Sequence, residues 1–293
     1  MRNLTPDKNS VIFFIDIRYN QDMDKISFVI LTWNSEKVIA DCLESLCGLH
    51  EQTVEIILVD NGSSDRTVEI IDSFSNIHPA LHLKKLLLEK NYGTTVSRNL
   101  GIRETSNDSN YICILDSDTI INQNAMSELI EVLQSDTRNG IAGPHMVNRD
   151  GIEQVTAKCI PTAMLKFCKA FPLRSIQKIG ENQERYDFSD GKRSYPVGYL
   201  ISACWMIKRE TLEQLGPLDE RIFYSPEDVE YCVRAWKSGK RVVYCPNAHI
   251  IHATQRISKK KLISKHNWEH LKGLIYFFRK YDLFFNSDKI VCK

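Results

Sequence analysis

From Lys25 to about Gly143, apolar runs of strand length alternate with stretches whose apolar residues recur at helical spacing. Ser27–Leu31 (SFVIL) reads as a strand, and Val38, Cys42, Leu43 and Leu46 then share one helical face. Val54–Val59 (VEIILV) is a second strand, followed by the turn-forming and helix-capping cluster Asp60–Asp65 and by a helix with Val68, Ile71 and Phe74 inward. A short third strand is expected at Leu86–Leu88 and a helix over Thr95–Arg103. Tyr111–Leu115 (YICIL) is apolar throughout, as suits a strand covered on both faces of a parallel sheet. A helix over Asn124–Gln134 and a strand from Gly140–Gly143 follow. Asn148–Ser194 is irregular and reads as a long excursion able to cover a substrate. Order resumes at Tyr195–Ile207, with a helix over Pro226–Ser238, a strand at Val242–Tyr244 and a helical tail over Lys259–Tyr281.

This alternation predicts an α/β three-layer sandwich: a mostly parallel central sheet, helices on both faces and a C-terminal helical tail. The expected organisation is an N-terminal extension over residues 1–24, a main domain over 25–255 with halves of about 25–120 and 121–255, and a basic tail over 256–293. In such folds ligands gather where the carboxyl ends of strands meet. Four polar clusters follow predicted strands: Thr32–Asn34, Asp60–Asp65, Asn91–Gly93 and Asp116–Asp118. Their shared edge is the candidate site.

Composition narrows the picture. Among 293 residues, 38 Lys and Arg balance 37 Asp and Glu for a net charge of +1, which argues against a general nucleic-acid binder. No apolar run approaches the roughly eighteen residues of a membrane span. Val11–Ile15 is too short, and too soon followed by Asp16 and Arg18, for the apolar region of a signal peptide. The nine cysteines are scattered, several within apolar runs such as those around Cys113 and Cys204, which fits buried thiols in a reducing cytoplasm.

Asp116-Ser117-Asp118 closes the most apolar strand, and period two carries both carboxylates to one side. Two carboxylates held close repel, and a divalent cation such as Mg²⁺ or Mn²⁺ relieves that cost while bridging to substrate phosphates. The competing reading is a polar strand end with a helix cap. Asp60 can accept hydrogen bonds from a base or ribose, or simply initiate the Asn61-Gly62 turn. Gly93 permits close backbone approach, and Arg98 can reach a phosphate or hold Asp116. Glu227 and Asp228 open a predicted helix, where the dipole favours acids and depresses their pKa. An ionised carboxylate there can also take a proton from an incoming hydroxyl. One such base suits transfer, whereas hydrolysis typically needs a second carboxylic acid. His249 and His252 lie three apart, so in an extended chain one of them can face a metal. Dinucleotide-binding, Walker, serine-elbow and zinc-protease motifs are absent.

Taken in order, these segments resemble family 2 glycosyltransferases of the GT-A fold, near the bacterial rhamnosyltransferase-like branch. They are Val29–Asn34 (VILTWN), Ile57–Asp65 (ILVDNGSSD), Asn91–Gly93 with Arg98–Gly101, Leu115–Asp118 (LDSD), Gly198–Arg209, Leu215–Glu220, Glu227-Asp228 with Tyr231–Arg234, and Pro246–His252. The resemblance implies an inverting transferase acting on a nucleotide-diphosphate sugar, dTDP-rhamnose first and UDP-sugars next. It implies a glycan or lipid-linked saccharide acceptor in cell-surface polysaccharide synthesis. By the same resemblance Thr32, Asn34, Asp60, Asn91, Gly93, Arg98 and Asp116 bind the nucleotide sugar. Asp118 and His252 hold the divalent cation, and Asp228 is the general base. Trp205 and Glu227 fall on the acceptor side, with a place in the apolar core as the equal alternative for Trp205. Two positions depart from the family pattern: Leu215-Gly-Pro-Leu218 replaces the paired glycines, and Glu230 stands where an aspartate is usual. The alternatives are a sugar-phosphate nucleotidyltransferase, which usually has a Gly-rich basic loop that Leu31–Ser35 lacks, and an inactive nucleotide-sugar-binding scaffold on the same fold.

Thr254–Lys280 carries eight Lys or Arg and one Glu, a local charge of +7, beside an apolar stripe of Leu271, Leu274, Ile275 and Phe278. Two readings stand: an interfacial helix on the anionic inner face of the cell membrane, or a helix packed on the domain with a wet basic face.

Overall fold

The first strand, β1 (Lys25–Thr32), has Ile26, Phe28 and Ile30 on one face and Ser27 and Val29 on the other, all fully buried. Its neighbours β2 (Thr53–Asp60) and β4 (Tyr111–Asp116) run parallel to it, and β3 (His82–Leu87) adds outside β2. The computed structural model describes residues 23–170, 174, 177, 186, 188, 190–253, 265–285, 287 and 290. The N-terminal extension to residue 22, including Val11–Ile15, and the basic run over 254–264 lie outside the described residues, as does most of 171–189.

The remaining strands are β5 (Thr119–Ile120), β6 (Asn139–Val147), β7 (Glu153–Gln154), β8 (Ala157–Lys158), β9 (Tyr195–Pro196), β10 (Tyr199–Leu200), β11 (Cys204–Lys208) and β12 (Arg241–His252). The main sheet runs β3-β2-β1-β4-β11-β6-β12-β5. Its first half is parallel, as the alternation predicts. Then β11 inserts antiparallel to both β4 and β6, while β6 and β12 are parallel to each other, so the whole sheet is mixed. Within the excursion after β6, β8 pairs antiparallel with β10, which follows it, as a separate two-stranded sheet.

The helices are α1 (Ile39–Leu46), α2 (Thr67–Ile77), α3 (Thr94–Arg103), α4 (Gln123–Gln134), α5 (Ala163–Ala170), α6 (Arg209–Leu215), α7 (Glu227–Lys237) and α8 (Lys265–Tyr281). Leu43 and Leu46 of α1 and Met126, Leu129 and Leu133 of α4 share one core with Phe28 and Ile30. On the other face, Leu212 of α6, Val229, Tyr231 and Val233 of α7 and Phe277 of α8 pack with Val29, Ile112, Ile114 and Trp205. Two cores across one sheet make the sandwich.

Element boundaries shift for local reasons. The third strand begins at His82 rather than Leu86, because it is a half-exposed edge strand whose HLKKLL sequence has no continuous apolar run. α4 starts where the Asn122 Oδ1 accepts the Ala125 N–H at 2.9 Å. β12 continues past Tyr244 to His252 because β6 and then β5 supply partners, with an irregularity between Cys245 and His249. The predicted stripe of the tail splits: Phe278 and Leu274 pack on the domain, whereas Leu271 and Ile275 remain 46% and 45% exposed. Among the described residues no helix is long and apolar enough to cross a membrane.

Candidate functional site

Register builds the site. β1 and β2 align Thr32 with Asp60, and β1 and β4 align Leu31 with Asp116, so three carboxyl ends meet at one edge. From the far side of the sheet, β12 runs antiparallel to β5, pairing His252 with Thr119, and the Ala253 N–H donates to the Asp118 carbonyl at 2.8 Å. This crossing delivers His252 to the paired aspartates.

One ligand atom from each of Asp116, Asp118 and His252 lies within 4.8 Å of the others. His252 Nε2 is 3.3 Å from Asp118 Oδ1. Its Nδ1 pairs with Gln154 Oε1 at 2.8 Å, and Gln154 Nε2 donates to the His252 carbonyl at 2.8 Å, which aims Nε2 at the acids. Two carboxylates and one imidazole form a donor set that fits Mn²⁺ or Mg²⁺. Burial opposes charge on His252, but Asp118 and then Asp116 outweigh it and raise its pKa. Burial likewise raises Asp116, against Arg98 and with Asp118 adding to the shift. The repulsion expected of a carboxylate pair is therefore present, and a cation relieves it. His249 sits apart, its ring 4.9 Å from that of His145, so of the two histidines it is His252 that lies against the paired aspartates.

Arg98 links this cluster to the second one. Its side chain is 3% exposed. Nη2 donates to Asp116 Oδ1 at 2.7 Å, and Nη1 donates to Ser202 Oγ at 2.8 Å and to Glu227 Oε1 at 3.3 Å. Next to Glu227, Asp228 lies in the first turn of α7, where Oδ1 accepts the Val229 N–H at 2.8 Å. The helix start is expected to depress the Asp228 pKa. Burial instead raises it, outweighing the Val229 N–H and the pull of Lys158, Lys166 and Arg98. The result is a stronger base.

Several sequence-predicted residues act behind the surface. Thr32 is fully buried and Asp60 is 2% exposed. Asp60 accepts from Thr32 Oγ1 at 2.8 Å, from the Ser63 N–H at 2.9 Å and from Ser63 Oγ at 2.6 Å, so the turn-forming role is satisfied in full. Asn34 adopts φ 53° and its Oδ1 accepts the Ser64 N–H at 2.8 Å. Asn91 Oδ1 accepts from the Gly93 N–H at 2.9 Å and from Asn61 Nδ2 at 3.1 Å. Gly93 does permit a close approach, but by the chain itself: a Cβ there would lie 2.3 Å from the Phe223 carbonyl oxygen.

Two acceptor-side expectations need correction. Trp205 is fully buried because β11 is a central strand, and its Nε1–H donates to the Leu200 carbonyl at 3.3 Å while the ring stacks on Tyr231. Glu227 is 6% exposed and turns toward Arg98 and Ser202 Oγ rather than outward. Burial and Asp228 push it up to about 8, against Arg98.

The sequence reading missed Gln154, Ser202, Tyr224, Lys158 and Lys166. Gln154, Lys158 and Lys166 fall in the aperiodic excursion, and Ser202 is an ordinary serine between strands. Tyr224 precedes α7, and after desolvation the charges of Glu227 and Asp116 raise its pKa. A second metal-capable group, Glu44, Cys47 and His78, is largely exposed. Its contacts use opposite nitrogens of His78, Nδ1 toward Cys47 at 3.9 Å and Nε2 toward Glu44 at 3.7 Å. A cavity of about 760 Å³ lined by Asn110, Tyr111, Arg138, Lys208 and Lys240 lies at the opposite edge of the sheet, where β4, β6 and β12 begin.

The family described as Glycosyl transferase family 2 matches residues 27–216, a span holding all four strand-end clusters and β11. The chain belongs to that family. Curated relatives of this family 2 glycosyltransferase include the N-acetylglucosaminyl-diphospho-decaprenol L-rhamnosyltransferase of Mycobacterium tuberculosis, 27% identical over 240 residues that cover 78% of this chain and 76% of that one. The dTDP-rhamnosyl transferase RfbF of Shigella flexneri is 24% identical over 226 residues, 77% of this chain and 68% of that one. Among solved structures, the mannosyltransferase PcManGT of Pyrobaculum calidifontis, in complex with GDP-Man and Mn²⁺, superposes with a TM-score of 0.61 at 16% identity. The match covers 89% of this chain and 65% of that one. GalNAc-T7 with UDP, GalNAc and Mn²⁺ gives a TM-score of 0.64 at 16% identity, over 89% of this chain and 48% of that one. Identities this low speak to the fold, which is GT-A, and the glycosyltransferase assignment rests on the family.

Proposed function

We propose that the protein transfers a sugar, with inversion, from a nucleoside-diphosphate donor to a hydroxyl of a glycan or lipid-linked saccharide in cell-surface polysaccharide synthesis. dTDP-rhamnose is the leading donor, followed by UDP-sugars. The observation that carries this reading is the Arg98 guanidinium, which touches Asp116 of one acidic cluster and Glu227 of the other. The two clusters therefore lie close enough to serve one bound donor.

In this scheme the cradle of Thr32, Asn34, Asp60, Asn91 and Gly93 shapes the nucleotide pocket. Asp116, Asp118 and His252 would hold Mn²⁺ or Mg²⁺, which would supply positive charge against the departing diphosphate. Asp228 takes the proton of the acceptor hydroxyl as the oxygen attacks the anomeric carbon. The carbon–oxygen bond to the diphosphate breaks on the opposite side, which inverts the centre. Arg98 keeps Asp116 oriented and spaces it from the base.

Calorimetric titration of dTDP-rhamnose and UDP-sugars, with Mn²⁺ and with EDTA, tests the donor and the metal together. Donor affinity is expected to fall at least about tenfold in EDTA and in Asp118→Asn. Equal affinity in all three conditions would exclude the metal assignment. Incubation with a nucleoside triphosphate and a sugar phosphate that yields pyrophosphate would favour the nucleotidyltransferase alternative.

The outer face of α8 supports peripheral attachment to anionic lipid. Trp268, Leu271 and Ile275 are 59%, 46% and 45% exposed, on a stripe that also exposes Lys272 and Arg279. Such mixed apolar and basic faces lie in bilayer interfaces. Cosedimentation with phosphatidylglycerol vesicles is expected to exceed that with phosphatidylcholine vesicles and to weaken with salt and in Leu271→Ser/Ile275→Ser. Equal binding to both vesicle types rules out the anionic surface.

A further inference from the structure

The inner face of α8 meets the chain just ahead of the base. A Cβ on Gly273 would lie 2.3 Å from the Ser225 carbonyl oxygen and 3.1 Å from Pro226 Cδ. Only a hydrogen fits there, and a glycine inside a helix is less favourable than alanine. The contact thus has a structural demand behind it that helix propensity opposes.

Two polar clamps bracket that contact. On one side Asp219, its side chain 7% exposed, accepts from Tyr276 Oη at 2.8 Å and from Lys280 Nζ at 2.7 Å, both on α8. On the other, Glu230, 1% exposed, accepts from Lys280 Nζ at 2.7 Å and from Tyr281 Oη at 2.7 Å. Arg234 of α7 donates to the second Glu230 oxygen at 2.7 Å. Lys280 therefore joins both clamps. Phe277 and Phe278 anchor the same face of α8 in the core. The segment between the clamps, from Glu220 to Val229, includes Tyr224, Glu227 and Asp228. The family departure at Glu230 acquires a purpose here: this carboxylate is turned into the C-terminal helix.

We propose that α8 is a positioning element for transfer, with Gly273 as the point of contact and Asp219 and Glu230 as its fasteners, so that the C-terminal helix sets where Asp228 stands. The inference rests on Asp228 being the base, and Gly273 acts only through the turn it touches. A methyl group at position 273 forces α8 and the Ser225–Pro226 backbone apart. Misplacement of a reacting group by about an ångström costs up to about a hundredfold in rate.

The test compares Gly273→Ala, Tyr281→Phe and Asp228→Asn in the full chain. All are assayed well below their melting temperatures, with Mn²⁺ and the donor found by titration. Gly273→Ala is expected to lower kcat by about 10- to 100-fold while donor Kd stays within about twofold, and to move the acid limb of the kcat–pH profile. Tyr281→Phe, which removes one hydroxyl from Glu230, is expected to lower kcat by a smaller factor with the same unchanged Kd, and it decides the matter if Gly273→Ala does not fold. If Asp228→Asn is inactive but the other two keep wild-type kcat, the positioning role is wrong and the base assignment survives. A parallel loss of kcat and donor affinity marks a merely structural role and also overturns it. Activity retained in Asp228→Asn removes the base assignment itself, and the inference with it.

Discussion

Asp228→Asn is expected to lower kcat by about 10²- to 10⁴-fold, the usual contribution of a general base, while donor Kd in the presence of Mn²⁺ is unchanged. The substitution is isosteric, and the amide oxygen can still accept the Val229 N–H. What disappears is the capacity to take a proton. The pH dependence follows from the raised pKa of Asp228. The base works when deprotonated, so kcat falls as pH drops through its pKa. That limb is expected above the ordinary carboxylate range and is expected to be missing from the residual activity of the asparagine variant. Steady-state kinetics across pH with a fixed donor concentration reads both effects. Turnover of the variant within tenfold of wild type removes Asp228 from the mechanism.

Arg98→Met is expected to cost about 1–3 kcal/mol of unfolding free energy, less than breaking a fully buried ion pair, because the Arg98 side chain is 3% exposed but the carboxylate it strands is 35% exposed and partly screened by solvent. The partner here is Asp116, 2.7 Å from Nη2, while Glu227 is already shifted toward its neutral form by burial and Asp228. The double variant Arg98→Met/Asp116→Asn is therefore expected to recover part of the loss, since no charge then faces the vacated space. Urea denaturation of the two variants measures the difference. A loss below about 1 kcal/mol for Arg98→Met would mean that Asp116 finds compensation in solvent, as exposed pairs do.

Legibility tracked the physical origin of each signal. Strands covered on both faces, such as Tyr111–Asp116, announce themselves as continuous apolar runs, and α4 and α7 do so through period 3.6. The edge strand β3 was misplaced because half-exposed positions carry lysines. The antiparallel insertion of β11 has no local signature, since pairing direction depends on where the chain returns from. At the site, Asp116, Asp118 and His252 were legible because strand ends and residue chemistry coincide there. Trp205 stayed between two readings for the opposite reason: a tryptophan beside a site reads the same in sequence whether it lines a cleft or fills a core. Gln154 and Ser202 orient other side chains, a role that no composition or spacing encodes. Burial at the start of α7 likewise reversed the pKa direction that the helix dipole predicts for Asp228.

The place of β11 governs the order in which the molecule can be assembled. β4 and β6 are both made well before β11, yet β11 is what lies between them. β12, the other long neighbour of β6, comes later still. As the chain leaves the ribosome, the β1–β2–β3–β4 leaf can close early, but the outer edge of β4 and both long edges of β6 stay without these partners until residues 204–208 and then 241–252 emerge. Strand edges left open in this way invite pairing with other chains. The antiparallel slot that completes the sheet thus makes biogenesis, rather than the finished enzyme, the stage at which the protein is most exposed to aggregation.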